Sequence, residues 1–190
     1  MTRMFVAVVP PEVATEDLDE FLAVRRDAAR SVEGFRWSSA EQWHLTLAFM
    51  ADVPDRSLDD LVDRLAATAA RQPAFTARVV GGGAFPHPDR AKVLWAGLEG
   101  DFDALSRGAR SAASTSGAVV DGQRFRPHLT LARLGRPANV SRWVRLLDAY
   151  AGPAWSVDEV ALVASYLGEG PRRRPRHEVV ATLPLARPEG

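Results

Sequence analysis

The 190-residue chain has no cysteine, so disulfides, thiolate metal sites and a cysteine nucleophile are excluded. It has no excess of charge of either sign, since 24 Lys and Arg balance 24 Asp and Glu. A global basic field that would hold nucleic acid is therefore absent, and only a local patch can play that part. No run approaches the ~20 apolar residues that span a bilayer. The opening Met1–Pro10 carries too short an apolar run for a secretory signal, with no small-residue cleavage site after it. The expected setting is cytoplasmic, away from membranes. No Gly-x-x-x-x-Gly-Lys pattern is present, so Gly81-Gly82-Gly83 reads as a flexible turn and not as a triphosphate cradle. No Pro/Gly/Ser stretch is long enough to be a linker. Residues 1–190 are expected to form one domain of two lobes.

What the chain does contain is one tetrapeptide written twice: His44-Leu45-Thr46-Leu47 and His128-Leu129-Thr130-Leu131. Each copy lies in a run that reads as a strand. Successive strand side chains point to opposite faces, so His44 and Thr46 share one face while Leu45 and Leu47 share the other. The same holds for His128 and Thr130. One His-x-Thr in a strand is ordinary, because Thr is a good strand former and most such histidines are satisfied core or surface groups. Two copies in matching places are another matter. Apolar strands have little reason to bury two imidazoles unless their polar edges meet something. Two imidazoles and two hydroxyls in one pocket are equipment for general acid–base chemistry on a phosphate ester.

The remaining pattern surrounds these strands. Phe5 to Val9 reads as a buried strand stopped by Pro10-Pro11. Glu12 to Ser31 reads as a helix with Leu18, Phe21, Leu22 and Ala28 inward. Ser57 to Arg71 is the clearest helix, striped by Leu58, Leu61, Val62 and Leu65, with Ser57-x-x-Asp60 resembling a cap. Strands are expected at Phe75–Val80 and Val93–Ala96, and a helix at Asp101–Ser114 with Phe102, Leu105 and Ala109 inward. A short helix at Val140–Tyr150 follows the second motif strand. Val157–Tyr166 and His177–Leu183 read as a closing pair of strands. The pattern predicts an α+β fold, bilobal and pseudo-symmetric. Two antiparallel sheets should line a central cleft with helices outside.

The duplicated His-x-Thr-x spacing resembles the 2H phosphoesterase superfamily, and within it the RNA 2′,3′-cyclic phosphodiesterases, historically called 2′-5′ RNA ligases. The resemblance extends to Arg3-Met4-Phe5-Val6-Ala7-Val8 and Trp43-His44-Leu45-Thr46-Leu47-Ala48-Phe49. It also covers Phe85-Pro86 with Lys92-Val93-Leu94-Trp95, and Phe125-Arg126-Pro127-His128-Leu129-Thr130-Leu131-Ala132-Arg133. It weakens after Ser156, where members usually carry an aromatic near His177. The resemblance implies a 2H phosphoesterase-like fold and hydrolysis of 2′,3′-cyclic phosphate ends to 2′-phosphomonoesters. The substrates would be RNA ends or nucleoside 2′,3′-cyclic phosphates, and neither a cofactor nor an obligate protein partner is implied. His44 and His128 would be base and acid in an order left open, and Thr46 and Thr130 would bind the phosphate oxygens. Phe49 would stack on the base and Arg133 would contact the phosphate. Joining or opening of 2′,5′ linkages, and RNA-end binding without catalysis, are the alternatives.

Phe49 and Arg133 each stand five positions from the start of their motif, counting the His as zero. A regular strand would turn both to the face opposite the histidines, so a bulge or the strand end must re-aim them. His87 and His177 are expected at the surface. Arg172, Arg173, Arg174 and Arg176 form a basic loop whose default is a solvated one. The five tryptophans read as core. No carboxylate is spaced to join the two histidines around a metal, and metal independence is expected.

Overall fold

A computed structural model describes residues 2–28, 34–170 and 175–187. Among them are four α-helices and ten strands, and every ladder between strands is antiparallel. The elements in chain order are β1 (Thr2–Val8), α1 (Glu12–Ala28), β2 (Phe35–Trp37), β3 (Leu45–Val53), α2 (Leu58–Ala69), β4 (Phe75–Phe85) and β5 (Ala91–Glu99). There follow α3 (Phe102–Thr115), β6 (Val119–Val120), β7 (His128–Ala138), α4 (Ser141–Leu147), β8 (Trp155–Val157), β9 (Glu159–Tyr166) and β10 (Arg176–Pro184).

The sheet runs β10-β9-β1-β3-β7-β5-β4-β8, with β6 added beside β3 and β2 beside β7. The two expected sheets are thus halves of one curled sheet. They join where β3 meets β7, through the single pair Leu45↔Leu129. Around that pair the halves repeat: β1 and β5 flank the motif strands, and β9 and β4 flank those in turn. Each half lends a short strand to the other, since β2 pairs with β7 and β6 with β3. Helices α2 and α3 cover one half while α4 covers the other. The sequence periodicity missed β2, β6 and β8 because runs of two or three residues carry no detectable period.

Alternation explains the core. In β3 and β7 the leucines Leu45, Leu47, Leu129 and Leu131 are at most 1% exposed and pack beneath the helices. Each such side chain contributes ~1.5–3 kcal/mol by leaving water. Phe102, Leu105 and Ala109 are buried on α3 as the periodicity predicts. A second, small apolar cluster of Phe5, Ala7, Ala161 and Val163, with Phe49 against it, lies on the cleft side. Trp43 is fully buried, but Trp37 and Trp143 are only half-buried.

Two expectations fail. Ser57 does not cap α2 with its side chain; it closes a 3-10 turn instead and its backbone is already helical. Gly81-Gly82-Gly83 is not a free turn either, because β4 runs straight through it. A Cβ on Gly83 would lie 2.3 Å from the Trp95 ring, and one on Gly82 would lie 2.6 Å from the Trp95 carbonyl. Gly81, at φ +64°, forms the bulge that lets β4 bend over β5. The glycines are there for close approach. The inward placement of Ala28 and the helix extension to Ser31 lie outside what the structure describes.

Candidate active site

The pairing of Leu45 with Leu129 fixes the site. His44 and Thr46 flank the paired leucine on one strand, and His128 and Thr130 flank it on the other. Since the two leucines turn into the core, the four polar groups share the other face. All four are half-buried and line one cleft of ≈ 780 Å³.

The two imidazoles are oriented identically. Nδ1 of His44 lies 2.8 Å from the Gln42 carbonyl, and Nδ1 of His128 lies 2.7 Å from the Arg126 carbonyl. A carbonyl only accepts, so Nδ1 carries the hydrogen and donates it in both rings. That leaves each Nε2 as the nitrogen that can take or release a proton. Aromatic rings wall off both groups. Phe5 stacks on His44 at 4.7 Å and 20°. Phe85 meets His128 edge-on at 5.0 Å, with Trp95 at 6.0 Å.

This setting disfavours the charged form. Burial pushes His44 down to about 4, partly offset by its bond to Gln42 and reinforced by the positive charges of His177, His128 and Arg133. His128 is lowered too, first by burial and then by Arg133 and Arg126, against the bond to Arg126. In the free protein at neutral pH both imidazoles are neutral. A bound anion favours the protonated form and lets one of them hold a proton.

Phe49 and Arg133 reach the cleft by the same device. Val6 pairs with Ala48 but Ala7 pairs with Thr46, which leaves Leu47 as an extra residue. Leu94 pairs with Ala132 but Trp95 pairs with Thr130, which leaves Leu131 as an extra residue. Each bulge reverses the alternation, so Phe49 and Arg133 face the cleft with the histidines. The carbonyls at both bulges are satisfied. Ser106 Oγ donates to Leu47 O at 2.7 Å, and Ser38 N–H donates to Leu131 O at 2.9 Å. One face of Phe49 is covered by the Arg3 guanidinium at 4.5 Å.

His177 is exposed, as expected of a surface residue, but the surface it stands on is that of the cleft. It pairs in register with Ser165 of β9 and lines the cleft. Its ring stands edge-on to His44 at 5.6 Å and to Phe5 at 5.1 Å. The only sequence cue is its position at a strand start, shared with the other two histidines. Arg3 and Arg36 also line the cleft and were not singled out by sequence. His87 is at the surface, as expected. Arg176 is engaged by Glu169 at 3.1 Å and Glu178 at 2.8 Å and covers Tyr166, while Arg172, Arg173 and Arg174 lie outside the described residues. Among the described residues no group of three or more His, Asp or Glu is gathered to hold a metal ion. No described helix is long and apolar enough to cross a membrane.

A curled antiparallel sheet that opposes two His-x-Thr strands across one cleft defines a 2H-type phosphoesterase architecture. The chain belongs to the 2′-5′ RNA ligase superfamily, whose sequence profile matches residues 9–169. It is similar to proteins named RNA 2′,3′-cyclic phosphodiesterase. That of Aeropyrum pernix is 33% identical over 74% of this chain and 83% of its own. That of Thermus thermophilus is 31% identical over 87% of this chain and 82% of its own. That of Geobacillus stearothermophilus is 30% identical over 97% of this chain, which spans only 57% of that longer protein. Among solved structures, a protein of Thermus thermophilus superposes with a TM-score of 0.77 at 28% identity, over 98% of this chain and 100% of its own. Escherichia coli LigT complexed with 3′-AMP superposes at 0.72 and 26% identity, over 97% and 98%.

Proposed function

We propose that this chain opens RNA 2′,3′-cyclic phosphates to 2′-phosphomonoesters, with His44 and His128 as general base and general acid. The observation that carries the reading is the pair of identically oriented imidazoles on either side of the Leu45–Leu129 crossing, each with its Nδ1 hydrogen committed to a carbonyl. The names of the relatives agree with it.

One neutral imidazole takes a proton from water through Nε2 as the oxygen attacks phosphorus. The bond from phosphorus to the ribose 3′ oxygen breaks. The other ring, held as imidazolium by the substrate's negative charge, delivers its Nε2 proton to that departing oxygen. A 2′-phosphomonoester and a free 3′ hydroxyl result, and the rings have exchanged protonation states. Solvent resets them. Thr46 and Thr130 donate hydroxyl hydrogen bonds to the non-bridging oxygens, where charge builds in the transition state. Arg133 adds a planar cation matched to phosphate, and Phe49 offers a sequence-tolerant surface for a base.

The proton carriers on this path are side chains of the protein, so the reading is metal-independent and uses no cofactor. Residues 1–190 act as one domain and as a monomer in the cytoplasm, on RNA ends or nucleoside cyclic phosphates. The test is turnover of a 2′,3′-cyclic phosphate with a chelator present. His44→Ala and His128→Ala should each lose about 10³-fold, within the range for one general acid or base. Near wild-type turnover in either variant rejects the mechanism.

A further inference from the structure

The chain as a whole is neutral, yet the cleft is not. Among its described lining residues are three arginines and three histidines, with no Asp or Glu. A terminal cyclic phosphodiester carries one negative charge. Three guanidinium groups exceed what that single charge calls for. Arg133 is accounted for, since its charge bears on both catalytic imidazoles. Arg3 rests on the Phe49 ring. Arg36 remains.

Arg36 stands directly opposite Arg133 in the β2–β7 register. Both are exposed, and neither forms an ion pair with any described residue. Like charges set opposite one another on a sheet are destabilising, and an anion between or beside them offsets that cost. The strand that carries Arg36 is held firmly. Its neighbours Phe35 and Trp37 stack on each other at 5.5 Å and 14°, and Trp37 meets Trp143 of α4 at 4.9 Å. Arg36 is therefore presented to the cleft from an anchored backbone, which lowers the ordering cost of binding.

We infer that the cleft receives an RNA end over at least two nucleotides, with Arg36 taking the internal phosphodiester on the 5′ side of the terminal cyclic phosphate. This rests on the proposed reading of the site and adds a specificity-determining residue, Arg36, which favours the end of an oligonucleotide over a free nucleotide.

The test compares kcat/KM for adenosine 2′,3′-cyclic phosphate and for adenylyl-(3′→5′)-adenosine 2′,3′-cyclic phosphate. The wild type should favour the dinucleotide by about tenfold, the lower end of what one charge-assisted contact supplies. Arg36→Ala should bring that ratio close to one, and Arg36→Lys should restore part of it. The log–log salt dependence for the dinucleotide should flatten by about 0.7, the slope per phosphate on a single strand. A wild-type ratio near one, or an undiminished ratio in Arg36→Ala, overturns the inference. Absence of wild-type turnover on both substrates overturns the catalytic reading instead. In that event titration calorimetry with the two 2′-phosphate products still decides Arg36, by whether the substitution removes a dinucleotide preference in binding.

Discussion

Ser106, on α3, donates its hydroxyl hydrogen to the carbonyl of Leu47 at 2.7 Å, in a spot where the serine is 1% exposed. Leu47 is the bulged residue of β3, so its ladder pairing is broken at the point where the strand re-aims Phe49 into the cleft. A helix that follows β5 in the chain thus stabilises a distortion in β3.

Ser106→Ala leaves that buried carbonyl without a donor. The cost should be about 1–3 kcal/mol, read as a lower denaturation midpoint with an unchanged m-value. Ser106 touches no substrate, so any loss of activity should appear mainly in KM. An unchanged midpoint would show that the bulge carbonyl does not depend on this hydroxyl.

The pH dependence follows from the two environments. Both imidazoles are held below their ordinary 6.5, with His44 at about 4. The mechanism needs one ring protonated and one neutral. The kcat/KM profile, which reports the free protein, should be a bell with its acid limb near 4 and its basic limb below 6.5. The kcat profile should lie at higher pH, because bound phosphate favours the imidazolium. A kcat/KM profile that stays flat from acid to neutral pH would remove both imidazoles from proton transfer.

Much of this is legible in the sequence, and the reasons are specific. The two leucine–threonine alternations display their own faces, because a period of two survives wherever a strand is long. Phe49 and Arg133 pose a problem of parity, which only a bulge resolves. Bulges at Leu47 and Leu131 have no residue signature of their own; they depend on what Ala7 and Trp95 do on the neighbouring strands. His177 was not expected at the cleft, for a related reason. Its location depends on β10 returning beside β9, a long-range pairing with no local trace. The triple glycine misled because the Trp95 ring that requires it comes from the next strand.

His177 offers a test of how charge reaches His44. Its ring lies 5.6 Å away, and its positive form opposes a second imidazolium there. His177→Phe keeps the aromatic wall, and with it the burial that dominates the His44 shift, while removing a group that can charge. The acid limb of kcat/KM should therefore move to higher pH with the maximum little altered. A uniform drop at every pH, with the limb in place, would mean that the ring only packs.

The same burial predicts how stability responds to acid. In the unfolded chain His44 titrates near 6.5, and in the folded one it titrates at about 4. Between those values the unfolded state binds more protons, so stability rises with pH across that window. The contribution is complete above 6.5 and is lost as pH falls toward 4. The loss is about 3 kcal/mol at most, the free-energy equivalent of that displacement. His44→Gln cannot charge and should flatten this part of the curve, leaving His128 and His177, both also lowered by burial, to supply the rest. Urea midpoints measured from pH 7 to pH 4 for both proteins decide it. Parallel curves for wild type and His44→Gln would show that the imidazole accepts a proton in the fold without resistance, contrary to the cleft described above.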